Sequence, residues 1–224
     1  LAAGLYTGPV RGSKSIEDLG AWTPEGGIFS SINMPKIIEK PLILIIIYRS
    51  FIVAADLKPI AALFENLQQK GFIVLSLFVR SLKAPDAAAW IENQIVSYSP
   101  AFIINATSFS GKGKDGTSPL DKANVPVFQI ALSTSNRAAW LEANRGLSPA
   151  DMAMHVVLPE VDGRIFAGVA SFKEPEEIDE VLQFAVIGHQ PDEERINAIC
   201  TKIENWYRLQ TTPIGEQKPA LILS

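Results

Sequence analysis

The sequence predicts an α/β protein: a flavodoxin-like or doubly wound, mainly parallel sheet with helices on both faces, followed by a less regular α+β second half. Three observations carry this. Leu42 to Tyr48, Phe72 to Val79 and Ala101 to Asn105 are nearly uncharged runs without alternation, the pattern of strands buried on both faces, as parallel strands are. Helical patterning fills the intervals between them, so right-handed β-α-β crossovers are the expected connections. Each run then breaks into a polar or glycine-bearing segment, and in open α/β sheets the loops leaving the carboxyl ends of the strands line the ligand crevice.

The first forty residues are rich in Gly, Pro and Ser. They read as a lead-in segment (1–40) from a preceding domain, packed by Leu5, Tyr6, Trp22 and Phe29. Within it a short helix is expected over Ser15 to Leu19, where Ser15, Glu17 and Asp18 supply capping chemistry. The flavodoxin-like domain is expected over 41–212. Its first strand follows Pro41, and Asp56 is placed to cap a helix whose Ile60, Leu63, Phe64 and Leu67 keep i, i+3, i+4, i+7 spacing. Pro59 falls in the first turn, where a missing N–H costs little, and Gly71 suits a left-handed helix end.

After the second strand, Pro85-Asp86 opens a helix with Trp90, Ile91 and Ile95 on one side, stopped by Pro100. The third strand leads into a long polar loop, Ser108 to Lys122, and a fourth strand is expected over Val125 to Leu132. A helix is expected from Asn136 to Asn144, and Ser148-Pro149 opens another, serine as cap and proline at the first position. Residues 159–163 read as a turn into a strand from Ile165 to Phe172, and Val181 to Ile187 as a further strand. Pro191-Asp192 begins a long helix with Ile196, Ile199, Cys200, Ile203, Trp206 and Tyr207 on one face. Residues 213–224 read as a linker and the first strand of a next domain. With no initiator Met, the expectation is an internal piece of a larger polypeptide.

Composition narrows the function. In 224 residues, 47% hydrophobic and 20% charged, wholesale disorder is excluded. A net charge of −4 leaves no basic footprint for nucleic acid. The longest apolar stretch, Leu42 to Ile47, is far short of the ~20 residues of a membrane span, and a chain with one cysteine fits a reducing cytoplasm, the location expected. The single cysteine excludes an internal disulfide and a cysteine-based zinc site. Cys200, on an apolar stripe, reads as core packing.

Most candidate motifs have a plain structural reading beside the chemical one. Residues 111–117 (Gly-Lys-Gly-Lys-Asp-Gly-Thr) suggest a phosphate loop but fail its spacing, because no Lys stands between Gly116 and Thr117; no ATP site is expected here. Two histidines, His155 and His189, are too few for a His-based metal cage. Glu160 and Asp162 flank a turn, either as a pair that shares a cation or works as acid and base or as solvated partners of a local arginine. The strand end Asn105-Ala106-Thr107-Ser108-Phe109 offers an amide, hydroxyls and a stacking face to a crevice, or simply closes a turn. Arg49, at the matching end of the first strand, adds a fixed cation suited to carboxylates.

Several segments taken in order resemble a known family. They are Leu5-Tyr6, Ile47-Tyr48-Arg49, the stretch Leu77 to Lys83, Asn105 to Phe109, Gly146 to Pro149, Ala153 to Ile165 and Ser171-Phe172-Lys173. Together they resemble an internal region of the large subunit of cobaltochelatase, related to the porphyrin-binding H subunit of magnesium chelatase; the Asn-Ala-Thr wording at Asn105 is similar to the cobalt branch. The resemblance implies part of an ATP-dependent metal chelatase of cobalamin biosynthesis, inserting Co²⁺ into hydrogenobyrinic acid a,c-diamide. It implies AAA+ partner subunits that use the ATP, no cofactor bound by this piece, and no activity of the piece alone. Under it, Arg49 and Lys83 would pair with carboxylates of the corrin precursor, Asn105 and Ser108 would bond its amides, and Phe109 would cover an apolar ring face. No catalytic residue and no metal ligand is assigned. The alternatives are the magnesium chelatase H subunit of chlorophyll biosynthesis and a non-catalytic small-molecule-binding domain of flavodoxin-like type.

Overall fold

The computed structural model describes residues 15–29, 40–144, 146–175 and 183–220; the expected packing of Leu5 and Tyr6 lies outside them, as does the strand expected over 218–224 beyond residue 220, with 218–220 irregular. The strands are β1 (Leu19–Thr23), β2 (Gly27–Phe29), β3 (Leu42–Tyr48), β4 (Ile73–Val79), β5 (Phe102–Asn105), β6 (Val127–Leu132), β7 (Ile165–Pro175) and β8 (Ile187–Pro191). Among the described residues they form one eight-stranded sheet in the order β2-β1-β4-β3-β5-β6-β7-β8. The five central strands are parallel, and the two edges are antiparallel additions.

The unbroken hydrophobic runs are buried on both faces, as expected. β3 leads directly into a short helix, α1 (Arg49–Val53), and Ile43, Ile45 and Ile47 of β3 pack with α2 (Lys58–Gln69) and α7 (Glu193–Thr211). Leu42, Leu44 and Ile46 point the other way, toward α3 (Pro85–Tyr98). Each such side chain contributes about 1.5–3 kcal/mol by leaving water. On the face of α3, further along the sheet, Ala131, Leu147, Val169 and Phe172 make a smaller cluster with Trp140 of α4 (Arg137–Glu142). Cys200 lies fully buried on α7, the core role its position predicts. Pro59 stands in the first turn of α2, and Gly71 follows it with φ +89°, the left-handed conformation expected.

Four local expectations are corrected. Residues 15–19 are not a helix: 15–17 are irregular and Leu19 opens β1, because Asp18 pairs with Arg49 and Arg80, just past the ends of β3 and β4, instead of capping. Within the segment assigned as a lead-in, β1 and β2 thus belong to the main sheet. Gly20 permits that close approach, since a Cβ there would stand 2.7 Å from the Phe78 ring. Asp56 does not cap α2, whose N-cap is Leu57 without a side-chain bond; its Oδ1 accepts the His189 N–H at 2.8 Å.

Residues 159–161 are helical rather than a turn. α5 (Pro149–Met152) runs through a π turn (Ala153–Val157) into α6 (Leu158–Val161). Pro159 has no N–H for the carbonyl one turn back, which favours a widened turn ahead of it. The last strand is Ile187–Pro191, not Val181–Ile187. Of the expected residues that are described, Phe184, Val186 and Ile187 are exposed, and the ladder with β7 selects the polar stretch that follows.

Candidate functional site at the carboxyl edge of the sheet

Numbered among themselves, the parallel strands β4-β3-β5-β6-β7 run 2-1-3-4-5, the flavodoxin order. α2 and α3 lie on opposite faces, so the winding reverses between β3 and β5, and a fold of this order places its ligand crevice beyond the carboxyl ends of these strands. Arg49, Lys83, Asn105, Ser108 and Phe109 all leave the sheet at this edge. Tyr48 spans the switch point, its hydroxyl donating to the Ser108 carbonyl at 2.7 Å.

The five expected ligand contacts are differently placed. Asn105 is fully buried. Its Nδ2 donates to Gln129 Oε1 at 2.7 Å and to the Thr107 carbonyl at 3.0 Å, and its Oδ1 accepts from Thr107 Oγ1 at 2.9 Å. Gln129, its register partner on β6, donates to the Thr107 carbonyl at 2.9 Å. The two amides therefore hold the β5 exit loop from within. Phe109 is 48% exposed with φ +68°, a conformation costly for a non-glycine residue. Its N–H donates to the Met154 carbonyl at 2.8 Å. Lys83 is exposed in the loop between β4 and α3, and Arg49 is engaged by residues 16–18.

A buried ion pair fixes the crevice loop. Arg164 Nη2 stands 2.9 Å from Asp162 Oδ2, with side-chain exposures of 2% and 1%. Asp162 also accepts from Ser110 Oγ and from the Gly111 N–H, both at 2.6 Å. Arg164 Nη1 reaches Gln129 Oε1 at 3.2 Å. Burial lowers the Arg164 pKa and the Asp162 charge opposes it. The acid pair expected at 160 and 162 is thus divided: Asp162 is locked inside while Glu160 is exposed on α6.

A second polar cluster lies beyond β6 and β7. Asp151, fully buried, accepts from Ser133 Oγ (3.1 Å) and from the Thr134 N–H (3.0 Å) and Oγ1 (2.9 Å). One turn on, His155 is buried, and its Nδ1 has no hydrogen-bond partner among the described residues. His189 Nδ1 lies 3.2 Å from Ser171 Oγ. Burial pushes both imidazole pKa values down, against the pull of Asp151 on His155 and of Asp56 on His189. Among the described residues no group of three or more His, Cys, Asp or Glu is placed to hold a metal ion, and no helix is long and apolar enough to cross a membrane. Of residues 111–117, Gly111 and Lys112 bond Asp162 and the Val161 carbonyl, while 113–117 fold on themselves, Gly113 N–H to the Thr117 carbonyl and Thr117 Oγ1 to Asp115 Oδ2.

Sequence reasoning gave no site role to Gln129, Tyr48, Asp151 or Arg80. Gln129 carried a usable signal, a lone amide inside an otherwise apolar buried strand, whose burial demands a partner.

A family model described as CobN/Magnesium Chelatase matches residues 4–224. The chain belongs to this family. An aerobic cobaltochelatase subunit CobN of Sinorhizobium sp. is 30% identical over 238 residues, covering 100% of this chain and 19% of that protein. The Pseudomonas aeruginosa protein of the same description is 33% identical over 187 residues, covering 83% of this chain and 15% of its relative. The catalytic subunit of cobaltochelatase from Mycobacterium tuberculosis superposes with a TM-score of 0.67 at 23% identity, over 93% of this chain and 17% of that one; it shares the fold. The chain therefore spans less than a fifth of the length of these CobN-family relatives. Asn105 to Phe109 and residues 153–165, quoted for the resemblance, are the segments that build the crevice loop and its buried anchor.

Proposed function

We propose that this chain is part of the large subunit of an ATP-dependent cobaltochelatase that acts in the cytoplasm on hydrogenobyrinic acid a,c-diamide and Co²⁺, the metal being substrate. The observation that carries the reading is the family match across residues 4–224 of a chain whose parallel strands reverse winding between β3 and β5. In this reading Arg49 and Lys83 take ring carboxylates, the Ser108 hydroxyl bonds an amide, and exposed Phe109 lies against the apolar ring face. Asn105 moves from ligand contact to positioning: with Gln129 and Thr107 it sets the path of the loop. Insertion proceeds in the assembled complex, with ATP hydrolysed on AAA+ partner subunits. In keeping with that division, the glycine-rich loop is taken up by bonds within 113–117 and to Val161 and Asp162.

The test is ring binding by the full-length subunit. Arg49→Ala removes a charge-assisted contact worth roughly 1.5–3 kcal/mol, so affinity in a tryptophan-quenching titration falls more than tenfold. Unchanged affinity would remove Arg49 from the contact set. Insertion of Mg²⁺ into a porphyrin, with no turnover of the Co²⁺ reaction, would move the protein to the magnesium branch.

A further inference from the structure

Two arginines leave neighbouring parallel strands and converge on one carboxylate of the protein's own chain. Tyr48 and Val79 are register partners of β3 and β4, so Arg49 and Arg80 follow side by side. Arg49 Nε donates to the Glu17 carbonyl at 2.8 Å and Nη2 to the Ile16 carbonyl at 2.6 Å. The same Nε stands 3.5 Å from Asp18 Oδ1. The other Asp18 oxygen accepts from Arg80 Nη1 at 2.6 Å. Arg80 has its own anchor, since its Nη2 takes both oxygens of Asp86, in the first turn of α3, at 2.9 and 2.8 Å.

The Nε–Nη2 edge of arginine is one with which it grips a carboxylate through two parallel bonds. Here two main-chain carbonyls fill that edge and a carboxylate backs it. The arrangement therefore presents to Arg49 and Arg80 the same acceptor chemistry that a bound carboxylate would. Its polar contacts are weak, although the Ile16 side chain packs against the main core. The Arg49, Arg80 and Asp18 side chains are 30%, 48% and 53% exposed, and exposed pairs of this kind exchange readily. Residues 15–17 have no helical or strand hydrogen bonds to keep them in place.

We propose that Arg49 and Arg80 form a receptor for a ligand carboxylate, filled in the free protein by Asp18 and the carbonyls of Ile16 and Glu17, with residues 16–18 acting as a strap that the ligand displaces. This deepens the proposed function and rests on it for the source of the carboxylate, a substituent of the tetrapyrrole. The geometry of the receptor does not depend on that source.

The test titrates the 224-residue chain with glutarate at constant ionic strength, following the arginine Nε–Hε resonances by NMR. Both Arg49 and Arg80 shift saturably, and Asp18→Asn, which weakens the internal competitor, binds glutarate about two- to fivefold more tightly, the range set by a weak exposed pair. Arg49→Gln removes the saturable shift at Arg80; circular dichroism verifies that each variant is folded. Absence of a saturable Arg49 shift in both the unaltered chain and Asp18→Asn overturns the proposal, as does Asp18→Asn binding no more tightly. Inorganic phosphate binding as tightly as glutarate overturns the carboxylate assignment. If glutarate binds as expected but the full-length subunit does not bind the corrin precursor, the tetrapyrrole reading fails and the receptor stands. Ring binding without the glutarate response has the opposite meaning.

Discussion

Replacing Asp162 by Ala removes the anion that neutralises Arg164 in a place where neither side chain is more than 2% exposed. The guanidinium is then left buried and uncompensated, a loss of about 3–5 kcal/mol. Gly111 N–H and Ser110 Oγ lose their 2.6 Å acceptors at the same time. In a chain of 224 residues each kcal/mol lowers the melting temperature by about 2–4 °C, so the fall is about 6–20 °C. Urea unfolding followed by circular dichroism measures the loss directly, as a lowered midpoint at unchanged slope. The companion Asp162→Ala/Arg164→Leu variant removes both charges and recovers part of the loss, because a buried pair replaced by apolar side chains costs little. Hydrogen exchange at the Gly111 amide rises in the single variant, reporting release of the loop that carries Phe109. A single-variant loss below about 1 kcal/mol, or a double variant as unstable as the sum of the two singles, would refute the claim that this pair anchors the crevice.

Two further outcomes follow from buried titratable groups. His155 and His189 have folded-state pKa values below that of the unfolded chain, so the unfolded state binds more protons on acidification. Stability is thus complete above about pH 6.5 and falls as pH drops through and below that value; in the double His155→Gln/His189→Gln variant this loss flattens, as denaturant midpoints measured from pH 5 to 8 would record, and an unaltered pH slope would contradict it. Burial pushes the Cys200 thiol up to about 12, so a thiolate-directed reagent at pH 8 leaves the native chain unmodified and labels it on unfolding; rapid native labelling would contradict its burial.

What the sequence revealed and what it hid divide along physical lines. β3, β4 and β5 were legible because strands buried on both faces need no alternation, and their length is set by the sheet alone. Their parallel pairing also fixed which loops share an edge, and so brought Arg49, Lys83, Asn105, Ser108 and Phe109 to one side. β1 was hidden because Leu19 to Thr23 is short, interrupted by Gly20, and stabilised by pairing with β4 far along the chain. β8 was displaced because pairing with β7 outweighs local hydrophobicity: Gly188 and His189 are buried while Phe184 and Val186 face solvent. Asn105 was read as a ligand contact from its residue type and its position at a strand end. Its burial depends on Gln129, its register partner 24 residues away, which no local pattern encodes. The engagement of Arg49 by residues 16–18 is likewise a long-range contact, and only coordinates expose it.

The most direct measurement is the structure of the full-length subunit with hydrogenobyrinic acid a,c-diamide bound. The ring is expected outside the carboxyl ends of β3 and β5, with a carboxylate on the Nε–Nη2 edge of Arg49 and Asp18 turned away. A ring seated elsewhere, with Arg49 still bonded to the carbonyls of Ile16 and Glu17, would contradict the assignment of this edge to substrate.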